Sequence, residues 1–191
     1  MKFSYKFLIK KITYKNCTIE NLDLKDIEKI RNWRNQQKNI LRQNFFLTKK
    51  EQKKYFLKVI KSEIRKKNPH TILFSFKQNE ILKGYGGLVY ISWENKRAEL
   101  SYLLNTEDSK SKNNYQILSN IYIRLVKKFA FNRLRLNRLY TETFFYRPFH
   151  ISILEKNGFK YEGEMKKHNI KKGKFINVKV HGLLNSRKRY V

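Results

Sequence analysis

The segment R-A-E-L-S-Y-L-L (97–104) reads as a strand with Ala98, Leu100, Tyr102 and Leu104 on one side and Glu99, Ser101 and Leu103 on the other. A carboxylate placed mid-strand, such as Glu99, is a candidate general base; its structural alternative is a surface charge paired with Arg97 or a lysine. A second group is I-R-N-W-R-N (30–35), with Arg42 shortly after it. Arg31 and Arg34 can grip a diphosphate or carboxylate in a bidentate manner, Trp33 offers a stacking face, and Asn35 can bond a polar acceptor. The plainer account has Trp33 filling the core and the arginines facing water. His181 falls in the last strand pattern with Phe175, Asn177 and Lys179, as a satisfied core histidine or a pocket residue. His70 flanks a strand, and His150 and His168 read as loop or helix-surface residues. The four histidines show no metal-ligand spacing, and the single Cys17 makes neither a zinc site nor an evident nucleophile, so no metal is expected. Gly84, Gly86 and Gly87 lie inside a strand pattern, so they are no phosphate loop and mark a bulge or a close backbone approach.

The elements that must position these residues follow from periodicity. Ile12–Ile19 reads as a first strand. Asp23, with Asp26 three residues on, caps a helix carrying Leu24, Ile27, Ile30 and Trp33; Thr48 and Glu51 form a capping box for a second. The second helix's stripe is Tyr55, Phe56, Val59, Ile60 and Ile64, and it ends before Asn68-Pro69. The period then changes to two. T-I-L-F-S-F (71–76), a turn at Gln78-Asn79, I-L-K-G-Y-G-G-L-V-Y-I-S-W (81–93) and 97–104 form a three-strand meander. Asn113 or Asn114 caps a long amphipathic helix, Tyr115–Asn132. A strand at 138–145 follows, then a short helix opened by Pro148 and ended at Gly158. Strands Phe159–Met165 and Phe175–Leu184 flank a Lys172-Gly173 turn. The order is β-α-α-β-β-β-α-β-α-β-β: an α/β (α+β) chain with a mixed, mostly antiparallel sheet of about seven strands, helices on both faces and one parallel step.

With 191 residues the chain suits a single domain, with a core over about 12–184 and a basic tail at 185–191. No apolar run is long enough for a membrane span, and Lys2, Lys6 and Lys10 break up the N-terminus, so no signal peptide is expected. One cysteine excludes an intrachain disulfide and sets a reducing cytoplasm as the expected location. The formal net charge of +29 suits nucleic acid or an anionic membrane surface. It comes from 32 Lys against 12 Arg, with 19 Asn and 18 Ile, scattered along the chain with no basic arm and no nucleic-acid motif. That pattern fits AT-rich coding bias, and nucleic acid is not the expected partner.

The order of elements, together with L-V-K-K-F-A-F-N-R-L-R-L-N-R-L-Y-T-E-T-F (125–144), I-L-E-K-N-G-F-K-Y-E-G-E (153–164) and K-K-G-K-F-I-N-V-K-V-H-G-L-L (171–184), resembles the GNAT superfamily of acyl-CoA-dependent N-acetyltransferases over roughly Ile12–Leu184. Similar strings close the ribosomal-protein N-terminal acetyltransferases and the amino-sugar N-acetyltransferases of pseudaminic acid synthesis. I-R-N-W-R-N, Ile40-Leu41-Arg42 and G-G-L-V-Y-I-S-W point toward the amino-sugar branch.

The resemblance implies the GNAT fold and acetyl-CoA as co-substrate. A bulge in the fourth strand would splay it from the fifth, and the pantetheine arm would pair along Tyr102, Leu103, Leu104 and Asn105. The pyrophosphate would sit at the start of the next helix, around Lys110, Lys112, Asn113, Asn114, Tyr115 and Gln116, with Arg147 nearby. The glycine-rich loop of such proteins is absent: Tyr115 and Ile117 stand at its glycine positions, and Lys110 and Lys112 would supply charge in its place. Leu154 stands where many relatives carry a general-acid Tyr, so the proton would come from Tyr146 or Tyr102, or backbone N–H groups would hold the thiolate. Glu99 would be the base, and Arg31, Trp33, Arg34, Asn35, Arg42 and His181 would border the acceptor.

The expected activity is therefore transfer of acetyl from acetyl-CoA to a small amine, the amino group of a nucleotide-linked amino sugar in surface-glycan synthesis, by a monomer or homodimer. The alternatives are a protein N-terminus as acceptor, and a catalytically degenerate GNAT-fold module holding nucleic acid or another anionic partner.

Overall fold

The computed structural model describes residues 11–186; the N-terminal lysine pattern and residues 187–191 of the basic tail lie outside the described residues. The chain opens with a hairpin, β1 (Ile12–Tyr14) and β2 (Cys17–Asn21), where the sequence reads as one strand. Lys15-Asn16 interrupts the apolar pattern, and Lys15 takes a φ of 52°, which reverses the chain. The sheet accordingly has eight strands. A 3-10 turn at Leu24–Asp26 precedes α1 (Ile27–Gln36). Asp23 caps that turn by accepting from the Lys25 N–H at 3.1 Å. Asp26 closes no capping box; it is buried and accepts from Ser75 Oγ at 3.0 Å.

The predicted helix from Thr48 forms with its capping box and comprises α2 (Lys49–Tyr55), a π-helical segment Phe56–Ile60 and α3 (Lys61–Arg65). The π turn changes the phase of the stripe. Phe56, Ile60 and Ile64 stay buried, whereas Tyr55 and Val59 rotate outward. The meander is β3 (Ile72–Gln78), β4 (Ile81–Ser92) and β5 (Arg97–Leu104). The first turn is Asn79-Glu80, one residue later than predicted, with φ of 47° and 64° matching a two-residue hairpin.

The segment expected to be a loop, 106–110, is a short helix, α4 (Thr106–Lys110), and α5 (Lys112–Lys127) continues into a π-helical segment Lys128–Arg133. Then come β6 (Arg138–Phe144), α6 (Pro148–Lys156), β7 (Lys160–Lys171) and β8 (Lys174–Leu184). Pro148 opens α6, and Gly158 at φ 91° ends it. The Phe159 and Gly158 N–H groups donate to the Leu154 and Glu155 carbonyls at 3.1 and 2.9 Å, which satisfies the last turn.

The strand order is β1-β2-β3-β4-β5-β6-β8-β7, antiparallel throughout except for β5–β6. On β5, Ala98, Leu100 and Leu104 are buried on one face and Glu99 and Leu103 on the other, so helices cover both faces. Phe74 and Phe76 on β3 meet Phe129 and Tyr122 edge-on at 5.0 and 5.3 Å, fixing α5 across the sheet. Each such buried ring contributes on the order of 2–3 kcal/mol from burial.

Candidate active site

β5 and β6 pair only from Arg97↔Arg138 to Glu99↔Tyr140 and then part. The separation arises without the bulge expected in β5, whose register with β4 is unbroken from Gly84↔Leu104 to Val89↔Glu99. The bulge lies instead in β4, where Tyr90 and Ile91 oppose Ala98, with Tyr90 at φ 50°. Gly86 and Gly87 mark a close approach, since a Cβ at Gly86 would lie 2.3 Å from the Ser101 carbonyl oxygen.

Where the strands part, a cavity of about 450 Å³ opens, lined by Glu99, Ser101 and Tyr102 from β5, Thr141–Phe144 from β6, and Arg34, Ile40 and Arg42 from the α1 side. Glu99 is 3% exposed. Arg42 clamps it, with Nη2 to Oε1 at 2.6 Å and Nη1 to Oε2 at 3.2 Å, and also reaches Glu142 Oε2 at 3.0 Å. Burial holds the Glu99 carboxyl above its ordinary range, and Arg42 opposes this shift without cancelling it. Arg34 faces the same cavity, and its partners among the described residues are uncharged: Nε donates to Gln43 Oε1 at 3.0 Å and Nη1 to Tyr85 Oη at 2.6 Å.

The rest of the expected acceptor cluster is structural. Arg31 pairs with Glu28 at 2.6 Å and donates to the Leu47 carbonyl. Asn35 bonds both the N–H and the carbonyl of Leu47 and accepts from Gln43 Nε2. Both therefore hold the loop that carries Arg42. Trp33 packs against the core and lines neither this cavity nor the second one described below. His181 is fully buried against Tyr161, away from both cavities, and burial pushes its pKa down.

A second cavity, of about 630 Å³, opens beside the first, between the end of α1, the start of α4 and α5, and the β6–α6 loop. Lys110, Lys112 and Arg147 line it. Its first wall differs from expectation. Asn105 caps α4, accepting from the Asp108 N–H at 2.8 Å, while its own N–H bonds the Lys83 carbonyl on β4. By strand alternation Leu103 also turns its backbone toward β4, so Tyr102 and Leu104 are the residues whose backbone groups face the gap. Ser111, not Asn113 or Asn114, caps α5, and Asn114 donates to Asp108 instead. Gln116 lines neither cavity. Tyr146 lies at the mouth with its hydroxyl donating to the Asn39 carbonyl at 2.6 Å, apart from Glu99.

Tyr115, standing at an expected glycine position, sends its phenol across to α6. Its oxygen lies 2.8 Å from His150 Nδ1 and 3.0 Å from Arg147 Nη2. Sequence reasoning placed His150 on a surface and passed over Glu142, Gln43 and Tyr85. The signal available for Glu142 was T-E-T (141–143), three polar residues in a strand between Tyr140 and Phe144.

The gap fits a phosphate-bearing thioester: the β5 edge at Tyr102 turns backbone groups away from β4 toward an extended arm, the Leu104 carbonyl there being held by Gln37 Nε2 at 2.9 Å, and Lys110 and Lys112 line the mouth. Among the described residues no three His, Cys, Asp or Glu side chains gather to hold a metal, and no helix is long and apolar enough to cross a membrane.

Solved structures share this architecture, three of them as follows. A spermidine N-acetyltransferase from Vibrio cholerae, in complex with CoA and spermine, superposes with a TM-score of 0.76 at 20% identity over 90% of this chain and 97% of its own. A GNAT-family acetyltransferase from Bacillus anthracis gives 0.72 at 16% identity over 92% and 98%. A probable acetyltransferase gives 0.74 at 20% identity over 92% and 97%. At these identities the likeness speaks to the fold alone. No curated protein matches the chain in sequence. The sequence profile of the acetyltransferase (GNAT) domain, however, matches residues 19–180, nearly the whole described chain. The protein is accordingly a member of the GNAT acetyltransferase family, an N-acetyltransferase that takes acetyl-CoA as its co-substrate.

Proposed function

We propose that the acceptor is a small primary amine that also bears a negative charge, of which the amino group of a nucleotide-linked sugar is the preferred example. Arg34 carries this reading: it faces the cavity of Glu99 and, among the described residues, bonds neutral groups, so its charge is available to a phosphate or carboxylate. Glu99 takes the amine proton through water, and the neutral nitrogen attacks the thioester carbon. The N–C bond forms as the C–S bond breaks, and the electron pair passes to sulfur, with no covalent enzyme intermediate. Lys110 and Lys112 hold the phosphates at the mouth, and the Tyr102–Leu104 edge holds the arm.

The test measures CoA release from acetyl-CoA with nucleotide-linked amino sugars, N-terminal peptides and spermidine offered in parallel. The proposal expects the amino-sugar nucleotide to give the highest kcat/KM, and Arg34→Met to raise its KM by about tenfold or more. A polyamine acceptor, as in the Vibrio cholerae complex, has Glu99 and Glu142 in its favour; Arg42 offsets one of their two negative charges, and Arg34 adds a second cation beside the same cavity. Preferential turnover of spermidine, or an Arg34→Met enzyme with unchanged KM, would overturn the anionic-acceptor reading.

A further inference from the structure

The two cavities share three lining residues, Ile40, Arg147 and His150. A donor with its phosphates beside Lys110 and Lys112 and its acetyl group beside Glu99 must carry its thioester past this junction. Ile40 is apolar. Arg147 is engaged, its Nη2 donating to the Tyr115 oxygen at 3.0 Å. Because that oxygen accepts from Arg147, the Tyr115 O–H is directed to His150 Nδ1, 2.8 Å away. A neutral imidazole that accepts at Nδ1 carries its proton on Nε2. The groups facing this ring are Tyr102 on β5 at 5.5 Å, Tyr115 on α5 and Arg147 at the start of α6, and the charge of His181 on β8 also acts on it. Burial, then Arg147 and His181, hold His150 well below its ordinary pKa, so the ring is neutral near pH 7. Leu154, one turn further along α6, is fully buried and has no proton to offer.

We propose that the His150 Nε2–H is the hydrogen-bond donor to the departing thiolate, with Tyr115 and Arg147 fixing its tautomer and orientation. As the C–S bond breaks, the electron pair arrives on sulfur and is stabilised there by Nε2–H. Glu99 passes the first proton, taken from the ammonium, to solvent before attack; the second, lost by the nitrogen as the amide forms, then goes through water to Glu99, while His150 keeps its own proton and CoA leaves as the thiolate. His150 is then a catalytic residue, whereas Tyr115 and Arg147 are positioning residues. The inference rests on the acetyl-transfer reading of the gap but not on the identity of the acceptor.

Two measurements test it. In protein labelled with ¹⁵N-histidine, the free enzyme should show His150 as the Nε2–H tautomer; CoA should shift its Nε2 resonance, and desulfo-CoA, which lacks the sulfur, should not. This experiment needs no acceptor, so it stands even if no amine offered is acetylated. In turnover, His150→Ala should lower kcat by about 100-fold with KM for acetyl-CoA within about threefold, as expected for an interaction made in the transition state. His150→Gln, which keeps an N–H donor, should recover part of the loss and serves if the alanine variant does not fold. Tyr115→Phe should lower kcat by about tenfold and abolish the single-tautomer spectrum. Equal shifts with CoA and desulfo-CoA, or a His150→Ala enzyme with kcat within about threefold of wild type, would overturn the proposal.

Discussion

The Lys171 ammonium, at the end of β7, donates to the Leu41 carbonyl at 2.7 Å, and the same nitrogen also meets the carbonyls of Lys38 and Gln43. The segment it binds has little regular structure beyond a 3-10 turn at Lys38–Ile40, so three backbone acceptors there converge on one side-chain cation. Arg42 lies inside that segment, and its guanidinium clamps Glu99. The β7–β8 hairpin thus fixes an arginine on the far side of the cavity.

Lys171→Met should therefore lower stability by about 1–3 kcal/mol, since it removes the donor to partly buried carbonyls. It should also lower kcat/KM, because Arg42 loses its frame. Lys172→Met, one residue on in the exposed hairpin turn, is the control and should change neither. Chemical denaturation together with steady-state kinetics makes the comparison, and two indistinguishable variants would remove Lys171 from the account.

The pH dependence of turnover should report Glu99. Burial raises its pKa above 4.5 and Arg42 pulls it back in part, so the acid limb of kcat/KM should have its midpoint above 4.5. Arg42→Gln removes the largest opposing influence and should move that midpoint further up, because the buried carboxylate is then harder to ionise. An acid limb at or below 4.5 in wild type, or a downward move in the variant, contradicts the assignment.

Most of this scaffold was legible because it is local. Capping at Thr48–Glu51, Pro148 at the start of α6, the Lys172-Gly173 turn and the Asn157-Gly158 exit are all decided within a few residues. The parallel β5–β6 step followed from a helix joining two strands. The Ile12–Asn21 hairpin escaped notice because its turn is Lys15-Asn16, without glycine. α4 escaped because its cap, Asn105, read as the end of a strand. Within the site, Glu99 and Arg42 were each visible but their pairing was not, since a contact over 57 residues leaves no periodic trace. Arg31, Asn35 and His181 have the right chemistry in the wrong place. Arg31 and Asn35 are consumed by Glu28 and Leu47, and His181 is enclosed in the core with neither ring nitrogen hydrogen-bonded; no single sequence records which polar groups are engaged or enclosed in this way.

Gly86→Ala should injure the gap itself. The added methyl would lie 2.3 Å from the Ser101 carbonyl and 2.5 Å from Tyr102 Cα, so β5 must move just where its edge turns to the substrate side. Overpacking of this kind costs about 1–3 kcal/mol. The expected result is a lower Tm together with weaker CoA binding by calorimetry. Gly173→Ala in the β7–β8 turn meets no atom within 4 Å and strains only a φ of 74°, so it should lower Tm without touching CoA affinity. Unchanged CoA binding in Gly86→Ala would mean that the β5 edge does not hold the arm.

Stability should fall as the solution is acidified through the histidine range. His181 is fully buried, and burial holds its pKa below 6.5; His150 is displaced in the same direction. Both rings are neutral in the fold, whereas in the unfolded chain they take up protons near 6.5. Their stabilising contribution is therefore complete above that pH and is lost as pH falls from 6.5 toward the lower folded values. Melting temperatures measured from about pH 7.5 down to about pH 5.5 should decline, and His181→Gln, which cannot titrate, should show a shallower decline whatever its absolute Tm. Parallel curves for the two proteins would mean that His181 takes up its proton as readily in the fold as in the unfolded chain.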